Sequence, residues 1–505
     1  MSSRKIVYSI LSIVFILVFA LSACAPAANN PAPTQPQQPT QAAPAQSTAT
    51  TASQAAAQPT DTTAPQAAAQ PTATTAAVQA TTPPLPTQKP VSGNRVKVNW
   101  WFNISNEADM KAYIAGVDAF NASQDKIDLI IVPGQNNDAF ITAITGNTAP
   151  DLFITWDGGE PLGTWAQNGL IQPLDQYIAA DNIDLTKFHD ASVAMGTYNG
   201  KVYGVPWQAD IVLLFYNKKQ FKEAGLDPDK PPTTWAEAMA MGQKLTLKDA
   251  SGKITRMGLQ PPTWFGPYYS IMCAWKPEFL NMVDMTNKKI NADQPGIVAS
   301  FQLMKDLWNM YGDPQQVDAF NSTLGNGLSP DDPFLTGKVS MIIDGDWRNG
   351  YESRYTNNKF NVDYGMVPIP APVGLESTYG ASYFFGMNFV IPYNAPHAAE
   401  AMQAVKYLTS YENDVKVIQG MWNNPVNKAA LQDKDLLAMS GLSVQMNSLR
   451  ENGPKMCYLP VTPVTGQLSA AIQQQIDLVV HNKITPEEGA KAINDAVQPE
   501  LDAVK

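Results

Sequence analysis

The chain has 505 residues, with 45 Asp and Glu against 34 Lys and Arg and a formal net charge of −11. That balance argues against nucleic acid and against broad adhesion to anionic lipid, since both need a basic surface. His189, His397 and His481 stand too far apart in sequence to form a metal-ligand spacing.

Arg4 and Lys5 precede an apolar run from Ile6 to Leu21, which ends in Leu21-Ser22-Ala23-Cys24. A charged start, a short apolar segment and small residues before a cut form a secretory signal. The run is about 16 residues, below the ~20 that a spanning helix needs. The cysteine directly after Leu-Ser-Ala makes residues 1–23 resemble a bacterial lipoprotein signal, in which Cys24 is lipidated and becomes the new N-terminus. The rest of the chain is then expected outside the cytoplasm, tethered to a membrane. Residues 24–93 are almost entirely Ala, Pro, Thr, Gln and Ser, and Asp61 is the first charge in them before Lys89. Such a segment buries too little apolar surface to offset the entropy of ordering. Its prolines keep it extended, so it is expected to be a disordered stalk.

The composition changes after Arg95. Val96 to Phe102 reads as a strand. Met110, Tyr113, Ile114, Val117 and Phe120 fall at helical spacing, and Ile127, Leu129 and Ile131 alternate as in a strand. Strand, helix, strand is the unit of a parallel sheet. Ala139 to Thr145 suits a short helix and Asp151 to Thr155 a compact strand. Further strands are expected at Val339–Asp344 and Phe385–Ile391. Helices are expected at Trp235–Leu245, Ile297–Tyr311, Ala398–Thr409 and Leu468–His481. Roughly 410 ordered residues are too many for one core, so two lobes are expected.

Four segments carry a resemblance. The first is Ala149-Pro150-Asp151-Leu152-Phe153, with Trp156-Asp157 and then Trp165 to Leu174. The second runs from Tyr198-Asn199-Gly200-Lys201 through Asp210 and Tyr216-Asn217-Lys218 to Pro232-Thr233-Thr234-Trp235. The third is Phe334-Leu335-Thr336-Gly337-Lys338-Val339-Ser340-Met341, followed by Gly345-Asp346-Trp347. The fourth is Ile484-Thr485-Pro486-Glu487-Glu488-Gly489. In this order and spacing they resemble the substrate-binding proteins of ABC importers, in the extracellular solute-binding family that includes maltose- and oligosaccharide-binding proteins. The resemblance implies an α/β, type II periplasmic-binding-protein-like fold, with a ligand cleft between two lobes joined by hinge strands. Residues 94–208 with 384–440 would form one lobe, and 213–378 with 446–505 the other. The chain would cross between them near Gln208–Leu213, Tyr379–Phe385 and Gly441–Gly453. The implied partners are a carbohydrate and membrane permease subunits, with the protein a monomer that needs no cofactor.

A sugar offers an apolar C–H face and a rim of hydroxyls, so its site needs aromatic planes beside polar side chains. Candidates are Trp101, Trp156 with Asp157, Trp207 with Asp210, Trp264, Tyr268, Trp347 with Arg348, and Tyr383. The resemblance assigns a stacking role to Trp347 and carboxylate contacts to Asp157 and Asp210. Trp165, Trp235 and Trp308 sit in helical patterns and read as core. The first turn after Pro463 carries no aromatic, unlike the family's maltose binders.

No nucleophile elbow, zinc-protease motif or phosphate loop is present in the sequence. Asp344-Gly345-Asp346 lacks the later ligands of a calcium loop. A secreted glycosidase would need two carboxylates about 5–10 Å apart, and a non-sugar solute such as glycerol phosphate, a polyamine or a peptide is a further alternative. With Cys24 lipidated, Cys273 and Cys457 remain in a compartment that permits disulfides; they pair, or lie buried as separate apolar side chains. Metabolic labelling with a fatty acid should mark the wild type and not Cys24→Ala. Equal label on both would overturn the anchor assignment.

Overall fold

The computed structural model describes residues 86–104, 107–155, 161–325, 329–351, 354 and 358–504. The leader, Cys24, nearly all of the stalk, and Trp156 with Asp157 lie outside the described residues. The chain divides into Met1–Gln79 and Ala80–Lys505, and everything described belongs to the second unit. No helix among the described residues is long and apolar enough to cross a membrane.

A ten-stranded sheet runs through the described residues. Its strands are β1 (Val96–Trp101), β2 (Ile127–Val132), β3 (Leu152–Thr155), β4 (Val205–Asn217), β5 (Leu247–Lys248), β6 (Ile254–Leu259), β7 (Val339–Gly345), β8 (Tyr364–Val367), β9 (Phe384–Val390) and β10 (Asn424–Pro425). The order is β2-β1-β3-β9-β4-β7-β6-β5, with β8 and β10 also paired to β4. β1 and β2 are parallel, Val96 opposite Ile127, and the helix α1 (Glu107–Ser123) connects them. Alternation puts Val98, Trp100, Ile127, Leu129 and Ile131 on the buried face, against Met110, Tyr113, Ile114, Val117 and Phe120 of α1.

β4 organises the rest. All thirteen of its residues are buried. From Val205 to Ile211 it pairs with β9, and at Gln208 and Ala209 with β10. From Val212 onward it pairs with β7, and from Leu214 with β8. Its first half therefore lies in a core with β1, β2 and α1, where Trp100, Tyr113, Trp207 and Phe389 meet ring to ring. Its second half lies in a larger core with β6 and β7. That core also takes in α3 (Trp235–Leu245), α4 (Phe265–Met272), α5 (Lys276–Leu280) and α6 (Pro295–Asn309), and later α10 (Thr465–Val480) and α11 (Pro486–Ala503). Where the partners change, the Ser382 hydroxyl accepts from Val212 N at 3.1 Å and donates to Val212 O at 2.9 Å. The backbone at the switch is thus satisfied without a continuous ladder.

The helix starts are chemically specified. Thr234 and Glu237 form a capping box before α3, and Thr485 and Glu488 form another before α11. Trp165, Trp235 and Trp308 are buried. Two results differ from the sequence reading. Gly441–Gly453 is not a strand but the helix α9 (Leu442–Asn452). Trp207 is 1% exposed at the centre of an aromatic core, so it faces no ligand. Cys273 and Cys457 are joined, with Cα atoms 5.5 Å apart across 184 residues of chain.

Candidate ligand site at the waist of the sheet

An aromatic wall stands beside the point where β4 changes partners. Trp347 follows β7 and Trp264 precedes α4, and their rings lie 5.9 Å apart. Phe385 of β9 meets Trp347 at 5.5 Å, edge to face, and Phe265 meets Trp264 at 5.0 Å. Trp264, Phe265 and Trp347 are only half-buried. Each indole folds over a glycine, Trp347 over Gly345 and Trp264 over Gly266, so a side chain at either glycine would collide with the ring. This sequence pattern is what allows the rings to lie flat against backbone.

Polar groups lie next to this wall. Asp210 Oδ1 accepts from Asn423 Nδ2 at 2.5 Å. Asp346 Oδ2 accepts from the backbone and side-chain nitrogens of Asn424. The two carboxyl groups also contact each other. Asp109, in the first turn of α1, pairs with Arg354 at 2.7 Å, and Arg354 donates to the Trp347 carbonyl at 2.8 Å. One guanidinium thereby ties the Trp347 backbone to the opposite half of the molecule. Tyr113 and Gln208 are hydrogen-bonded below the cluster.

Burial and the charge of Asp210 push the Asp346 carboxyl well above its ordinary value. Burial pushes Asp210 up to about 6, against the opposing hydrogen bonds from Asn423 and Asp346. Two full charges in contact repel by about 4 kcal/mol even at an effective dielectric of ~20. One carboxyl of the pair therefore keeps its proton, and the two titrate as a unit.

The sequence candidates separate into groups. Trp264, Trp347 and Asp210 come together here. Tyr383 is 1% exposed behind the wall, stacked on Phe385 at 5.3 Å. Tyr268 is 7% exposed within the larger core, where burial raises its phenol pKa. Trp101 packs against the cluster of Phe140, Phe153 and Trp165. Arg348 corrects the reading of it as a ligand contact. Its Nε and Nη2 face Asp344 at 2.6 Å and its Nη1 faces Asp332 at 2.9 Å, so two carboxylates saturate it. Asp109, Arg354, Asp346, Asn423 and Phe385 were missed. Only Asp346 carried a sequence signal, its place beside Trp347.

Residues 115–441 match the family described as bacterial extracellular solute-binding protein. The chain belongs to that family. A putative binding protein of Brucella abortus is 28% identical over 290 residues, 57% of this chain and 65% of that protein. The chain thus spans about two thirds of the length of the curated relatives it matches. The maltotriose-binding protein of Pyrococcus abyssi is 24% identical over 336 residues, 63% of this chain and 65% of that protein. Among solved structures, CpMnBP1 with mannobiose bound superposes with a TM-score of 0.66 at 25% identity, over 81% of this chain and 100% of that one. The GacH receptor of Streptomyces glaucescens gives 0.64 at 23%, over 82% and 100%. The fold is the two-lobed type II periplasmic-binding-protein fold.

The carboxyl pair makes a pH prediction. A carboxyl whose folded pKa is raised binds more protons folded than unfolded, so its contribution to stability falls as pH rises from about 4. For Asp210 the loss runs through about 6, and the raised Asp346 contributes a loss in the same direction. Asp346→Asn mimics the protonated form. In urea unfolding at pH 4.5 and pH 7.5, the variant should gain on the wild type at the higher pH. A difference that does not change with pH would contradict the shared proton.

Proposed function

We propose that this protein is the substrate-binding component of an ABC importer and that it captures a carbohydrate between its lobes. The half-buried wall of Trp264, Phe265 and Trp347 beside buried Asp and Asn side chains carries this reading. Aromatic planes suit the C–H faces of a pyranose, and carboxylates and amides suit its hydroxyls. CpMnBP1 with mannobiose and the maltotriose-binding protein of Pyrococcus abyssi support it by what their names say they bind. The proposed lobes are residues 94–208 with 384–440 and 213–378 with 446–505. Trp156 and Asp157 would contribute from the first lobe. The protein would act as a monomer outside the cytoplasm, held to the membrane through a lipid on Cys24 and a stalk of residues 24–93, and would hand its ligand to permease subunits.

The sn-glycerol-3-phosphate-binding periplasmic protein of Yersinia pestis is also a relative, 27% identical over 290 residues. A phosphate needs an available guanidinium or ammonium. Arg348 is saturated by Asp332 and Asp344, and Arg354 faces Asp109. The waist therefore favours a neutral polyol over an anion. Asp210 and Asp346 touch, which leaves no room between them for the sugar that a glycosidase pair must flank at ~5–10 Å.

Removing the Trp347 indole deletes a large rigid contact. Trp347→Ala should weaken binding of a saturating oligosaccharide, found by screening manno- and malto-oligosaccharides, by roughly 2–4 kcal/mol, about 30- to 1,000-fold. Calorimetry measures it, and an unchanged melting temperature shows that the fold survives. Normal binding by the variant would remove Trp347 from the site.

A further inference from the structure

A groove of about 750 Å³ lies behind the crossing strands. Successive side chains of an extended segment point to opposite faces. Tyr383 and Phe385 stack together on the face that carries Trp264 and Trp347. Phe384 therefore points the other way, where its ring meets that of His189 at 6.0 Å and floors the groove.

Lys276 of α5, Arg450 of α9, Lys428 and Asp190 line the groove. Lys428 is paired with Asp190 at 2.7 Å. Arg450 has only a loose contact with its neighbour Glu451, at 3.7 Å. Lys276 donates to the Pro454 carbonyl at 2.8 Å and has no carboxylate at ion-pair distance among the described residues. Its partial burial, without a counter-charge, pushes its pKa down. Burial also holds His189 at about 4, so it is neutral near pH 7 and adds no charge. Three cations thus face one carboxylate over an apolar floor of Phe384, Met456 and Tyr458. An ordinary solvated basic patch has neither the cavity nor the floor.

The disulfide makes this a built site. Cys273 lies three residues before Lys276, and Cys457 lies between Met456 and Tyr458. The bond holds the Lys276 wall against the floor, so little freedom is lost when a ligand enters.

We propose that this rear groove is a second binding site, for a small organic anion with an apolar body, such as an aromatic carboxylate or sulfonate. The anionic group would sit between Lys276 and Arg450, and the body would lie on Phe384 and Tyr458. The volume falls in the range of small-molecule sites, about 300–1,000 Å³. The proposal goes beyond the carbohydrate reading and does not depend on it, because the two sites occupy opposite faces of the crossing strands.

The test is a fluorescence titration of the mature protein with 8-anilinonaphthalene-1-sulfonate at constant ionic strength. The wild type should bind one equivalent saturably. K276Q/R450Q should weaken that binding about tenfold or more. K244Q, which removes an exposed lysine of α3 outside the lining, should leave it unchanged. Melting curves establish that each variant is folded, and K428Q carries the same expectation should the double variant not fold. Absence of saturable binding by the wild type, or an unchanged dissociation constant in the lining variants, would overturn the proposal.

Discussion

The structure depends on one strand that belongs to two cores. Val205–Asn217 bonds to β9 and β10 over its first half and to β7 and β8 over its second. An interrupted ladder leaves backbone and side chains at the junction without regular partners, and in a buried place these must be satisfied locally. Ser382 does this for Val212. Asp346 does it one residue beyond β7, by reaching Asn424 of β10. The polar cluster at the waist is thus the means by which two halves of the sheet share a strand, and it also furnishes the hydrogen-bonding side of the candidate site.

Charge at the waist is paired in place. The carboxyls there are met by amides, by one shared proton and by Arg354, while Arg348 is held away by Asp332 and Asp344. Burying a charge costs desolvation even when it is paired, and leaving it unpaired costs more. Under the proposed function, an arriving polyol would exchange hydrogen bonds with such a cluster without bringing a charge of its own. The aromatic wall would supply the apolar part of that contact. Because Arg354 links the Trp347 carbonyl to Asp109 on α1, the orientation of the wall is coupled to the other half of the molecule.

Much of this was legible in the sequence. The β1–α1–β2 unit appeared as alternation followed by helical spacing, and the structure buries those same residues. The place of Trp347 showed in Gly345-Asp346-Trp347, because a glycine before a tryptophan leaves room for the ring to fold back. Arg348 looked equally available, since nothing in sequence reveals that Asp332, 16 residues earlier, returns beneath it. The Asp109–Arg354 pair spans 245 residues and has no local signature. Tyr268, buried in the larger core, failed as a site residue for a related reason. An aromatic beside a loop reads the same whether tertiary packing turns it inward or outward. The helix at Leu442–Asn452 hid because a crossing segment can be helical as easily as extended.

The central claim is that a carbohydrate draws the two lobes together across the waist. Small-angle scattering of the mature protein, with and without a saturating oligosaccharide that calorimetry shows to bind, tests it most directly. A ligand that selects a closed arrangement shifts the population toward it, so the radius of gyration should fall on binding, and Asp109→Ala, which cuts the link from α1 to Arg354, should diminish the fall. Full binding with an unchanged radius of gyration would contradict the account.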